Sequence, residues 1–158
     1  MLIEFQEYFT FEMIYLWSNL GILPFWLMII FIPKSKTTQI LVNSIIIPLI
    51  LSATYCYVFY MGFLLDTNFF FEIFNLFFGL DNLYAIFSSE NILLIFWLHF
   101  LALNIFLGSW ISRDAMKYNI PRTVVFIPIL FVYFTGPLGI VLYWLIRIFY
   151  AKKLGLHD

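Results

Sequence analysis

Apolar residues along this chain gather into four long runs separated by short polar stretches. Runs 13–32, 40–65, 92–111 and 123–146 each approach or exceed the roughly 20 helical residues that cross a hydrocarbon core. None alternates apolar and polar positions as a membrane β-strand would. In lipid the backbone must also satisfy its own hydrogen bonds, which leaves helices. The pattern therefore predicts an all-α membrane fold, four transmembrane helices forming a single domain over 1–158. Pro33 and Lys34 close the first run, Pro121 opens the fourth at a favourable helix start, and Arg147 ends it. Pro24, Pro48 and Pro128 lie inside the first, second and fourth runs and are expected to kink them. Near the middle of the fourth run stands Thr135-Gly136-Pro137-Leu138-Gly139, which allows either one kinked span or a re-entrant pair of half-helices. The kinked span is the favoured expectation, because broken backbone facing lipid is unfavourable.

The stretch 66–90 between the second and third runs has a different texture. Asn68, Glu72, Asn75, Gly79 and Asn82 recur at helical spacing, with Phe70, Phe71, Phe74, Phe77 and Phe78 filling the remaining positions. Such a stripe predicts an amphipathic helix lying in the membrane interface.

Composition sharpens the picture. Of 158 residues 64% are hydrophobic and 11% charged, against roughly a quarter charged in a soluble domain. The bilayer is thus the expected partner and solvent. A net charge of −1 gives no case for nucleic acid. The lone cysteine, Cys56, is expected to be a buried small hydrophobe. An acidic start, with Glu4 and Glu7, lacks the basic opening of a signal or transit peptide, so the first apolar run is expected to be retained. A multi-pass protein of a bacterial inner or photosynthetic membrane fits these features. Lys34 and Lys36 follow the first run, and Arg113, Lys117 and Arg122 follow the third, which puts both basic loops inside and the N-terminus outside. Four simple spans would then leave Arg147, Lys152 and Lys153 outside, against the same rule; a re-entrant fourth segment would return them inside.

Candidate chemistry concentrates in the third run, because polar groups within a span are unfavourable unless used. At about 100° per residue His99, Phe106, Trp110 and Arg113 share one stripe, with Asn104 well round the helix. His99 is expected among neighbouring helices, either as a proton donor or acceptor, as a ligand of a pigment metal, or as interhelical glue. Asn104 suits glue, Trp110 an interfacial anchor, and Arg113 and Asp114 the headgroup boundary. No zinc-type cluster, phosphate loop or nucleophile elbow is present, and two histidines, one of them His157 in the tail, cannot build a multi-histidine iron site. These residues give no expectation of a metal or a cofactor.

Asn19-Leu20, Leu23-Pro24-Phe25-Trp26-Leu27 and Phe31-Ile32-Pro33 resemble the opening of the abscisic-acid-deficient-4-like proteins, the neoxanthin-synthase type. The similarity continues through His99, Leu107-Gly108, Trp110, Asp114-Ala115, Ile120-Pro121, Gly136-Pro137-Leu138-Gly139 and Leu142-Tyr143. Members are small four-helix membrane proteins, and the plant ones are needed to open a carotenoid epoxide in an isomerisation. The resemblance implies a carotenoid or similar long apolar ligand and an isomerase; if the chain is catalytic, His99 is expected as the base, with the acid from Asp114 or from a group in another span. Asn19, Trp26, Asn104, Phe106, Trp110 and Arg113 would line the substrate. Two departures stand out: Asn104 replaces the family's aspartate, and Ser109 stands between Gly108 and Trp110 where the family has arginine. Epoxide opening needs an acid on oxygen and a base on carbon, and His99 and Asp114 lie roughly 20 Å apart along one helix. The alternatives are a non-catalytic pigment-binding, assembly or accessory subunit of a larger membrane complex, with a membrane-protein partner or a homo-oligomer, and, more remotely, a small transporter.

Overall fold

A computed structural model describes residues 9–65 and 69–152, with backbone alone for residues 65, 70 and 72. All regular structure among them is helical: α1 Phe11–Phe31, α2 Lys36–Leu41, α3 Ile46–Leu65, α4 Phe69–Asn75, α5 Leu80–Phe87, α6 Glu90–Lys117, α7 Arg122–Thr135 and α8 Pro137–Ala151. Three stretches are long and apolar enough to cross a membrane, Phe11–Phe31, Lys36–Leu64 and Glu90–Lys117. The chain is a membrane protein, helical throughout its described regular structure. Its residues fall into two compact units, one drawn from Met1–Leu20 and Ile50–Leu101, the other from Gly21–Leu49 and Ala102–Asp158.

In the first unit, Val58 of α3, Phe69 of α4, Ile86 of α5 and Ile92, Ile95 and Leu98 of α6 bury one another with Ile14 of α1. Phe59 meets Phe69 edge to face at 5.3 Å. The stretch expected as one amphipathic helix is instead two short helices. Gly79, at φ +127°, holds a backbone conformation that side chains disfavour and interrupts the helix between Asn75 and Leu80. The polar stripe needed an unbroken helix through that point. Phe71, Phe74, Phe77 and Phe78 are all exposed, as are Asn75 and Asn82; Asn68 and the Glu72 side chain lie outside the described residues. Cys56, too, is exposed rather than buried.

The second unit contains the largest departure from expectation. The fourth apolar run is not one kinked span but two helices of 14 and 15 residues, each short of the length that crosses a hydrocarbon core. They fold back on one another. A β-carbon at Gly139 would strike the Val132 backbone nitrogen and come within 2.6 Å of the Pro128 carbonyl, whereas a helix continuing straight would hold residues 128 and 139 about 16 Å apart. Gly136 makes the turn at φ +65° and ψ −84°, which a residue with a side chain adopts only under strain. Pro137 then starts α8, where its missing N–H is no loss. Proline acts unevenly elsewhere. Helices α1 and α7 continue through Pro24 and Pro128. The second apolar stretch is interrupted at 42–45, just ahead of Pro48, which has no N–H for the Ser44 carbonyl. The turn leading into it is tied down by Thr38 donating to the Ile32 carbonyl at 2.8 Å and Gln39 to that of Pro33 at 2.7 Å.

A buried carboxylate–tyrosine–arginine cluster

The helical hairpin brings two polar side chains of α8 onto the last turns of α6. Tyr143 and Arg147 are one helical turn apart and so share a face. Both are buried completely. The Tyr143 hydroxyl donates to Asp114 Oδ2 at 2.7 Å, and Arg147 Nε donates to the same oxygen at 2.8 Å. A second guanidinium nitrogen of Arg147 donates to the Tyr118 hydroxyl at 3.2 Å, with its central carbon 4.9 Å over the Tyr118 ring. Asp114 is about 10% exposed, so the ion pair sits where water screens it little. Trp110, one turn before Asp114, packs edge to face on Tyr143 at 5.6 Å. An isolated buried guanidinium would be strongly unfavourable; carboxylate, hydroxyl and ring together offset that.

The same helix carries a different face toward the rest of this unit. Trp26 is buried against Gly108, where a β-carbon would come within 2.6 Å of the indole, and meets Tyr133 edge to face at 5.4 Å. Asn104 is buried beside the hairpin turn: a β-carbon on Gly136 would lie 2.6 Å from its Oδ1. Its Nδ2 has no partner. Arg113 and Phe106 are exposed.

His99 and Asn19 belong to the first unit. Asn19 is a clasp: its Oδ1 accepts the Trp97 indole N–H at 3.1 Å while its amide donates to the Tyr15 carbonyl at 2.7 Å. His99 is exposed, its ring 6.4 Å from that of Tyr55. This corrects the expectation of an enclosed imidazole. On α6 the buried arc runs through Leu94, Leu98, Leu101 and Ile105, and His99 stands outside it. Of the expected site residues, the structure thus gathers Asp114 and Trp110 around Tyr143, and Trp26 against Gly108. It does not bring His99 to Asp114. Tyr143, Arg147 and Tyr118 were not anticipated as site residues; a lone basic residue four positions after a tyrosine at the end of an apolar run was the available signal. Among the described residues no group of three acidic, histidine or cysteine side chains could hold a metal ion.

The family model described as ABA DEFICIENT 4-like matches residues 13–143. No curated protein and no solved structure matches the chain.

Proposed function

Starting from the fact that the chain belongs to the ABA DEFICIENT 4-like family, we propose that it is a carotenoid-related membrane protein and, more specifically, an isomerase of an epoxy-xanthophyll. The observation that carries the catalytic version is the buried Asp114–Tyr143 pair. Such an isomerisation moves one proton from carbon to oxygen. Asp114, held in place by Arg147, would take the carbon-bound proton; the Tyr143 hydroxyl would protonate the departing epoxide oxygen; and the hydrogen bond between them would return the proton from carboxyl to phenolate. This assignment needs no second distant group, which His99 could not supply. His99 keeps a different place in the proposal, as an outward imidazole beside Tyr55 within reach of a polyene dissolved among acyl chains.

The test is pigment composition by chromatography in a violaxanthin-producing host, with and without the gene and with Asp114→Asn and Tyr143→Phe. Conversion by the parent and loss in both variants is the expected result. Carotenoids unchanged by the parent would remove the enzymatic version.

A second reading is favoured by one observation: Phe71, Phe74, Phe77 and Phe78 are all exposed in and just beyond the short helix α4. An apolar surface of that kind suits a pigment or a membrane partner. In this reading the chain is a non-catalytic pigment-binding or accessory subunit. A coloured, slowly migrating species on native electrophoresis in mild detergent supports it; a colourless chain migrating alone removes it.

A further inference from the structure

A pocket of about 240 Å³ opens in the second unit, lined by the end of α1, the last turns of α6 and the start of α7. Its composition is two-sided. Lys34, Asn119 and Arg122 supply polar and basic groups, while Ile29 and Ile129 form an apolar interior. Arg122 uses one guanidinium nitrogen on the Phe31 carbonyl at 3.2 Å, which positions the group and leaves its other donors available. Neither Arg122 nor Lys34 has an acidic partner among the described residues. Helix α7 starts at this pocket with Pro121 as its N-cap and no side-chain cap, so the N–H groups of Arg122 and Thr123 lack intrahelical partners at the positive end of the helix.

The independent sign of a ligand is Ser112. It lines the pocket, is 3% exposed, and its hydroxyl has no hydrogen-bond partner. A serine or threonine in a helix ordinarily bonds the carbonyl four residues back. Thr54 and Thr135, both within helices, do so, although they are less enclosed. Ser109 is likewise unpartnered but does not line the pocket. The volume lies below the range of sites that enclose a whole drug-sized ligand. It suits a headgroup whose chains continue along the exposed apolar faces of the helices.

We propose that this pocket binds the phosphate of an anionic membrane lipid, with Lys34, Arg122 and the α7 N-terminus holding the charge and Ser112 donating to a phosphate or glycerol oxygen. Basic pockets between helices at the membrane surface recognise lipid headgroups by this chemistry. The site is separate from the Asp114 cluster and does not depend on any carotenoid.

The experiment uses the full chain in nanodiscs of phosphatidylcholine doped with phosphatidylglycerol, with lipid retained through detergent extraction counted by native mass spectrometry. Phosphatidylglycerol is expected to be retained over phosphatidylcholine. Lys34→Gln and Arg122→Gln should each lower that preference roughly fivefold, and Ser112→Ala should lower it without changing charge. Lys36→Gln removes an equal charge two positions from Lys34 but outside the pocket, and should leave the preference intact. Circular dichroism and gel filtration of every variant establish that it is folded. Equal retention of the two lipids by the parent, or an equal loss in Lys36→Gln, overturns the proposal. Displacement of the lipid by inorganic phosphate at comparable concentration overturns it in favour of a soluble phosphate ligand.

Discussion

Arg147 and Asp114 stand 33 positions apart in the sequence and 2.8 Å apart in space. That ion pair joins the returning arm of the hairpin to the third long helix. Its energetics follow from burial. Breaking a buried pair by removing one partner is destabilising by about 3–5 kcal/mol, because the other charge stays behind unpaired. Asp114→Asn and Arg147→Met should each lose stability on that scale. The double variant, which leaves no orphan charge, should be more stable than either, as read from unfolding midpoints in mixed micelles. Additive losses would mean that the two side chains do not act on each other.

The close approach of Gly139 to the backbone of α7 makes it intolerant of a single methyl group. Gly139→Ala should destabilise by about 1–3 kcal/mol through overpacking. Gly21, in the middle of α1 with nothing within 4 Å of where a β-carbon would be, is the control. There, alanine should be neutral or stabilising by up to about 1 kcal/mol. Thermal unfolding in detergent separates the two.

Trp26 and Gly108 form a matched pair, bulk against notch. Gly108→Ala should cost about 1–3 kcal/mol by pushing on the indole. Trp26→Phe, which removes the part of the ring that the new methyl would meet, should absorb part of that loss, giving a coupling of about 0.5–3 kcal/mol in a double-mutant cycle. A cycle that closes to zero would show that the two positions are independent.

A hairpin that returns to its starting side makes a topological prediction. In a Cys56→Ser background, single cysteines replacing Asn119 and Lys152 should react with a membrane-impermeant thiol reagent from the same side of the bilayer. Reaction from opposite sides would mean that the fourth apolar run crosses completely.

Hydropathy made the long helices legible because length and greasiness alone decide whether a segment suits lipid. The first three runs, at 13–32, 40–65 and 92–111, fall within or largely overlap Phe11–Phe31, Lys36–Leu64 and Glu90–Lys117. The third helix outlasts its apolar run because Ser112–Lys117 remains helical once it has become polar. The fourth run is ambiguous in the sequence for a physical reason. Whether Gly136-Pro137 bends a helix or reverses it depends on Gly139 finding the groove beside Val132, a contact that no local pattern announces. The basic tail was the one signal of a reversal, since a complete crossing would have put Arg147 on the side that lacks other cations. Site residues were harder still. The third run's histidine drew attention as a titratable group amid apolar residues, yet its ring faces outward. Arg147, which reads as an ordinary helix-ending charge, is wholly enclosed because its partner comes from a different part of the chain.

The reversal at Gly136 also constrains how the protein is made. A half-helix of 14 residues would end partway through the hydrocarbon with its last carbonyls bare, so neither arm is a tenable insertion intermediate. The two must enter the bilayer as one unit. They can dock only after α6 is seated, since Asn104 and Asp114 receive the tip and the returning arm. Assembly in the membrane is therefore ordered, with the hairpin docking as a step that follows the seating of α6.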